Sequence, residues 1–150
     1  RYHPQYALNE GGLVRHTLAL IRFVNHTFNI KCMSEKWTSR ERDIIRIAGL
    51  AHDAFKSGSQ SDYEKNHYTK HEHPIIAAIV IRKYRGCGII PDDEIECIAK
   101  TIEAHMGQFT TSTYSDIVLP EPSNKYQKML HWADYLASRK DIEVKFEGIN

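Results

Sequence analysis

The sequence has little with which to build a disulfide scaffold. Its three cysteines, Cys32, Cys87 and Cys97, are scattered, odd in number and without a Cys-x-x-Cys, which fits a reducing compartment, the cytoplasm by default. It also has no apolar run approaching the ~20 residues that cross a bilayer, so no membrane partner is expected. Charge of one sign is missing too. Twenty Lys+Arg against nineteen Asp+Glu leave a formal charge of +1, which excludes the general basic field of a non-specific DNA binder but leaves room for a local anion site. There is no convincing alternating strand, no internal repeat and no signal peptide, although the chain starts at Arg1 rather than Met, which leaves room for further chain around it. What is present is globular: 41% hydrophobic and 26% charged residues over 150 positions, the length of one ordinary domain spanning 1–150.

Five helical patterns follow in order. After an irregular lead-in with Pro4, Val14, Leu18, Ile21, Val24 and Phe28 repeat at helical steps, with His16 on the adjoining face beside Leu13, Leu20 and Phe23. Thr38-Ser39-Arg40-Glu41 reads as a capping box opening a second helix with Ile44, Ile47, Ala48 and Ala51 buried. The polar stretch 57–70 reads as a surface loop, either a lid or a solvated connection. His73-Pro74 opens a third helix through Ile76, Ala77, Val80 and Tyr84, and Pro91-Asp92-Asp93 a fourth with Ile95, Ile98, Ile102 and then His105. A second irregular stretch covers 106–121. The last helix, about 123–139, carries Tyr126, Leu130, Ala133 and Ala137, with Asp134 interrupting its stripe. Helices without strands predict an all-α bundle.

The chain is organised around Ala48 to Lys56, where an apolar helical run ends in His52-Asp53. An imidazole beside a carboxylate is costly to bury without a shared partner, and a metal ion is the partner that suits both. Five segments contribute His16, His52 with Asp53, His73, His105 and Asp134, each at an element end or on an apolar face. Nitrogen and oxygen donors without sulfur suit Mn, Fe, Co, Ni or Mg, one or two ions per chain. His3, His26 and His131 have no such pattern. His71 competes with His73, which is favoured because Pro74 fixes it at a helix start. Lys56 and Arg139 follow ligand-type residues closely and are candidate phosphate contacts, and Phe109 or Tyr114 is placed to stack on a base.

The order His, His-Asp, His, His, Asp over helices resembles the HD-domain superfamily of metal-dependent phosphohydrolases along essentially the whole chain. The motifs are Gly11-Gly12-Leu13-Val14-Arg15-His16-Thr17, Leu50-Ala51-His52-Asp53-Ala54-Phe55-Lys56, His73-Pro74-Ile75-Ile76-Ala77-Ala78, Ala104-His105-Met106-Gly107-Gln108 and Ala133-Asp134-Tyr135-Leu136. The resemblance implies that His16, His52, Asp53 and Asp134 hold one metal, and that His73 and His105 hold a second, bridged by Asp53. It also implies a helical bundle with two irregular loops over the site. The chain departs from the alarmone hydrolases, having no acidic pair after His52-Asp53. It departs from the cyclic-di-GMP hydrolases, having neither a second histidine nor Gly-Tyr-Pro after His105. Ala54-Phe55 replaces the usual Ile-Gly.

The expected activity is hydrolysis of a phosphate ester or anhydride on a nucleotide or nucleic-acid end. Asp53 and Lys56 are the expected catalytic residues, and Lys56, Arg139 and Gln108 the expected substrate contacts. The alternatives are a 3′-5′ exonuclease or other nuclease domain cutting diesters, and a non-catalytic regulatory or binding module with the same fold. Oligomeric state does not follow from the sequence.

Overall fold

A computed structural model describes residues 3–58, 61 and 68–146. Most of the expected lid at 57–70, with His67, lies outside the described residues. A 3-10 turn, Gln5–Ala7, precedes α1 (Gly12–Asn29), α2 (Lys31–Ser34), α3 (Ser39–Ala51), α4 (His73–Arg82), α5 (Asp92–Glu103) and α6 (Lys125–Ala137). Among the described residues there is no strand, and only an isolated bridge joins Ser112 to Ser115. The all-α expectation is borne out; the short α2 is the helix that periodicity did not anticipate.

Helices α1, α3, α5 and α6 enclose the core, while α4 packs chiefly on α5. Leu20 and Val24 of α1, Ile45 and Ala48 of α3, Ile98 and Ile102 of α5 and Leu130 and Ala133 of α6 are all essentially inaccessible to solvent. Small residues set how closely the helices approach. A Cβ on Gly49 would lie 2.7 Å from Leu20 Cδ2, closer than packed carbons tolerate, so glycine is what lets α3 rest against α1.

The α1 stripe is rotated from the expected one. Gly12, His16, Ala19, Leu20, Val24, Thr27 and Phe28 are buried, whereas Val14 is 62% exposed. Apolar residues cover more than half the circumference of this helix, so period alone does not choose the inward side. Tyr84 is also exposed, because α4 ends at Arg82.

The capping box at the start of α3 is present: Thr38 Oγ1 accepts from Glu41 N at 3.2 Å and Glu41 Oε2 from Thr38 N at 2.8 Å. Glu41 also ties α3 to α6, taking Lys125 Nζ at 2.5 Å and the Tyr126 hydroxyl at 2.8 Å. These bonds, Lys125 foremost, hold the Glu41 carboxyl down to about 2 from an ordinary 4.5. A depressed folded-state value stabilises above the unfolded value and is lost as pH falls through the folded one. The stability gap between wild type and Glu41→Gln is therefore expected at neutral pH and should shrink between pH 4.5 and 2. Screening of the partly exposed pair limits it to about 1–2 kcal/mol; thermal melts across pH measure it.

Candidate metal centre

Three of the histidines use one local device. His52, the C-cap of α3, donates Nδ1–H to Gly49 O at 2.7 Å; His73, the first residue of α4, to Lys70 O at 2.6 Å; His105, just past α5, to Ile102 O at 2.8 Å. In each the ring folds back on the carbonyl three residues earlier. That bond assigns the proton to Nδ1 in the neutral ring and leaves the Nε2 lone pair pointing inward, the usual orientation of a metal-ligating imidazole. His16 reaches the same point from the buried face of α1, and its Nδ1 is buried without a partner.

The inward nitrogens form two pairs with Asp53 between them. His16 and His52 face each other at Nε2–Nε2 3.4 Å, and His73 and His105 at 3.3 Å. Asp53 Oδ2 lies 3.5 Å from His52 and 3.8 Å from His16, while Oδ1 lies 3.0 Å from His73 and 3.7 Å from His105. Asp134, from α6, closes the first set, with Oδ1 2.9 Å from His16 Nε2 and 3.7 Å from His52 Nε2. All four imidazoles and Asp53 are almost wholly buried. Two acceptor nitrogens at such distances repel unless a proton or a metal stands between them. Converging lone pairs and carboxylates, with the Lys56 ammonium 2.5 Å from Asp53 Oδ2, are thus a donor set that fits divalent cations. His16, His52 and Asp134 form one group able to hold an ion, and His52, Asp53 and His105 another.

The protonation states agree with this fit. Burial pushes His52 down to about 4, keeping it neutral. Burial works to raise both carboxyls, yet the surrounding imidazoles of His52, His105 and His73 and the Lys56 ammonium hold Asp53 well below its ordinary range. The hydrogen bond from His16, with the nearby histidine charges, brings Asp134 to about 2. Neutral imidazole and anionic carboxylate are the forms that ligate. His105 runs the other way: burial acts to lower it, but its hydrogen bond to Asp53 and the two carboxylate charges raise it.

The centre opens into a cavity of about 580 Å³. Lys56 and Arg139 both line it, as the sequence suggested. The Arg139 guanidinium lies 4.4 Å over the Tyr135 ring, donates Nη1–H to the Tyr135 hydroxyl at 3.2 Å and has a buried Nε without a partner. Phe109 lines the cavity, while Tyr114 is 96% exposed and lies outside it. Gln108 is not brought to this wall; it borders a separate groove with Glu121 and Pro122. His73 faces the cluster, and His71 turns to Thr110 O at 3.2 Å.

The sequence reading missed His3, Thr69, His131 and Tyr135, which also line the cavity. His3 comes from the aperiodic lead-in, which Tyr6 anchors through a 2.7 Å hydrogen bond to Ala137 O and Arg15 through bonds to the carbonyls of Tyr6, Leu8 and Glu10. No local signal reveals that arrangement. His131 had one: with Asp134, Tyr135 and Ser138 it lies at steps of three and four on a single α6 face.

A family model described as HD domain matches residues 23–139, most of the chain, beginning after His16. No curated protein and no solved structure matches.

Proposed function

This chain belongs to the HD-domain family, and from that premise we propose that it is a metal-dependent phosphohydrolase whose substrate is a phosphate ester or anhydride of a nucleotide. The observation that carries the reading is the pairing of four inward imidazoles about Asp53, open to a cavity of about 580 Å³. That volume falls within the range, roughly 300–1,000 Å³, of small-molecule pockets. We take residues 1–150 as one domain, with His16, His52, Asp53 and Asp134 as one ligand set and His73, His105 and Asp53 as the second. Divalent ions in such a set supply a water acidified toward neutrality and positive charge facing the transferring phosphoryl group.

The chain's own residues then have separate tasks. Lys56 spends one donor on Asp53, fixing that carboxylate, and has two further N–H groups for a phosphate oxygen. Arg139, stacked on Tyr135 and short of one hydrogen-bond partner, is held ready for a second anionic oxygen. Phe109 offers an apolar face to a base.

Elemental analysis and a panel of nucleotides and short oligonucleotides test this on the same samples. About two metals per wild-type chain with phosphate released from mononucleotides is the expected result. No metal after reconstitution and no turnover would leave a binding module, and cleavage confined to oligonucleotides would make it a nuclease. His105→Ala should lower the metal content toward one per chain. Arg139→Ala should raise KM about 10- to 100-fold with a smaller change in kcat, as loss of a charge-assisted contact worth about 1.5–3 kcal/mol does.

A further inference from the structure

Helix α6 works on two faces. His131, Asp134, Tyr135 and Ser138 line the cavity described above, while Lys125, Lys128, Met129 and Trp132 line a second groove that α6 forms with Thr27 of α1, Met33 of α2 and the connector residues Lys36 and Trp37. This groove holds about 420 Å³. Its walls are apolar: Trp37 and Met129 are nearly buried, Trp132 remains 44% exposed, and the Thr27 hydroxyl is spent on Phe23 O at 2.8 Å. Besides Met33, its other lining residues are lysines, and no carboxylate lines it among the described residues. Lys125 is engaged by Glu41 and lies 4.7 Å from the centre of the Trp37 ring. Among the described residues, Lys36 and Lys128 have no anionic partner. In a chain of net charge +1, this is a local positive rim around an apolar floor.

We propose that this groove is a docking site for a partner segment in which acidic residues flank a large apolar side chain. The apolar anchor fills the floor between Trp37, Met129 and Trp132, and tryptophan and methionine are the residue types enriched where protein surfaces meet. The acidic flanks answer Lys36 on the connector and Lys128 on α6, which stand on two different elements of the groove. Positive charge contributed by two separate elements of the groove matches an extended chain with acidic residues around an anchor better than it matches a small ligand with one terminal charge. The site is independent of the phosphohydrolase reading, since none of its lining residues touches the metal centre.

The chain contains two tryptophans, and both line this groove, so intrinsic tryptophan emission reports on it directly. The probes are short blocked peptides without tryptophan: an acidic one around a Leu-Phe pair, the same anchor between lysines, and the acidic one with Leu-Phe replaced by serines. The acidic anchored peptide alone is expected to shift the emission, more weakly as salt rises. Its affinity should fall about tenfold or more in Lys36→Glu/Lys128→Glu and in Trp132→Ala, with the far-ultraviolet circular dichroism of both variants unchanged. The exposed positions of the substituted side chains make folding of these variants secure. Several results would overturn the proposal: no shift with any peptide, an equal shift with the lysine-flanked one, or unchanged affinity in both folded variants. Binding of N-acetylphenylalanine as tight as that of the peptide would overturn it in favour of a small-ligand pocket. A concentration-dependent emission shift with dimer in sedimentation, in the absence of peptide, would overturn it in favour of a second copy of the chain.

Discussion

Replacing Asp53 with alanine is expected to empty both ligand sets at once. Its two carboxylate oxygens divide between the pairs, Oδ1 toward His73 and His105 and Oδ2 toward His16 and His52. Loss of one partner that merely orients a metal ligand lowers affinity or activity about 10- to 100-fold, and Asp53 sits inside both sets rather than behind one. Metal content should fall below about one per chain and hydrolysis by at least about a hundredfold. The fold should survive, because Asp53 follows the end of α3 and takes no part in the apolar core. Lys56, 29% exposed, is free to turn its ammonium to solvent once its partner is gone. Metal analysis, circular dichroism and turnover on one preparation check the prediction. Wild-type metal content in a folded Asp53→Ala protein would remove the central ligand from this account.

Gly107→Ala should be strongly destabilising, because it combines backbone strain with a steric clash. Gly107 has φ +62°, and a Cβ there would lie 2.0 Å from His131 Cε1 and 2.4 Å from its Nδ1. The left-handed conformation alone costs an alanine about 1–2 kcal/mol. The imidazole must also move, breaking its 2.9 Å hydrogen bond to His105 O, worth about 1 kcal/mol net. A total of roughly 2–3 kcal/mol corresponds to a melting temperature about 5–10 °C lower for a domain of this size. Hydrolysis should fall as well, since Met106 and Phe109, on either side of Gly107, line the cavity. A double-mutant cycle with His131→Ala separates the two causes: removing the ring relieves the clash but leaves the backbone strain. Additive melting shifts in that cycle would show that the ring is not what the methyl meets.

The candidate donors were the legible part of the sequence, because each is announced locally. Asp134 and His105 interrupt helical stripes, His52-Asp53 ends one, and Pro74 marks His73 as a helix start. Capping chemistry is equally local, and the Thr38-Glu41 box appears as read. Periodicity was less informative in α1, whose apolar residues go most of the way round; burial of Val14 was expected and the structure exposes it. Gln108 shows the limit of reasoning by sequence neighbourhood. It lies three residues after His105, yet the chain has left α5 and a positive-φ Gly107 has turned it toward another groove.

By itself, then, the sequence determined the helical class, the helix starts and the identity of the candidate ligands, since these follow from periods, caps and polar interruptions within about a dozen residues. Only the tertiary structure decided that the imidazoles meet as two pairs across Asp53, that His73 rather than His71 joins them, and that His3 and His131 complete the cavity. It also gave α6 a second face. Those outcomes depend on the rotation and approach of helices far apart in the chain, which side-chain packing fixes and no local pattern encodes.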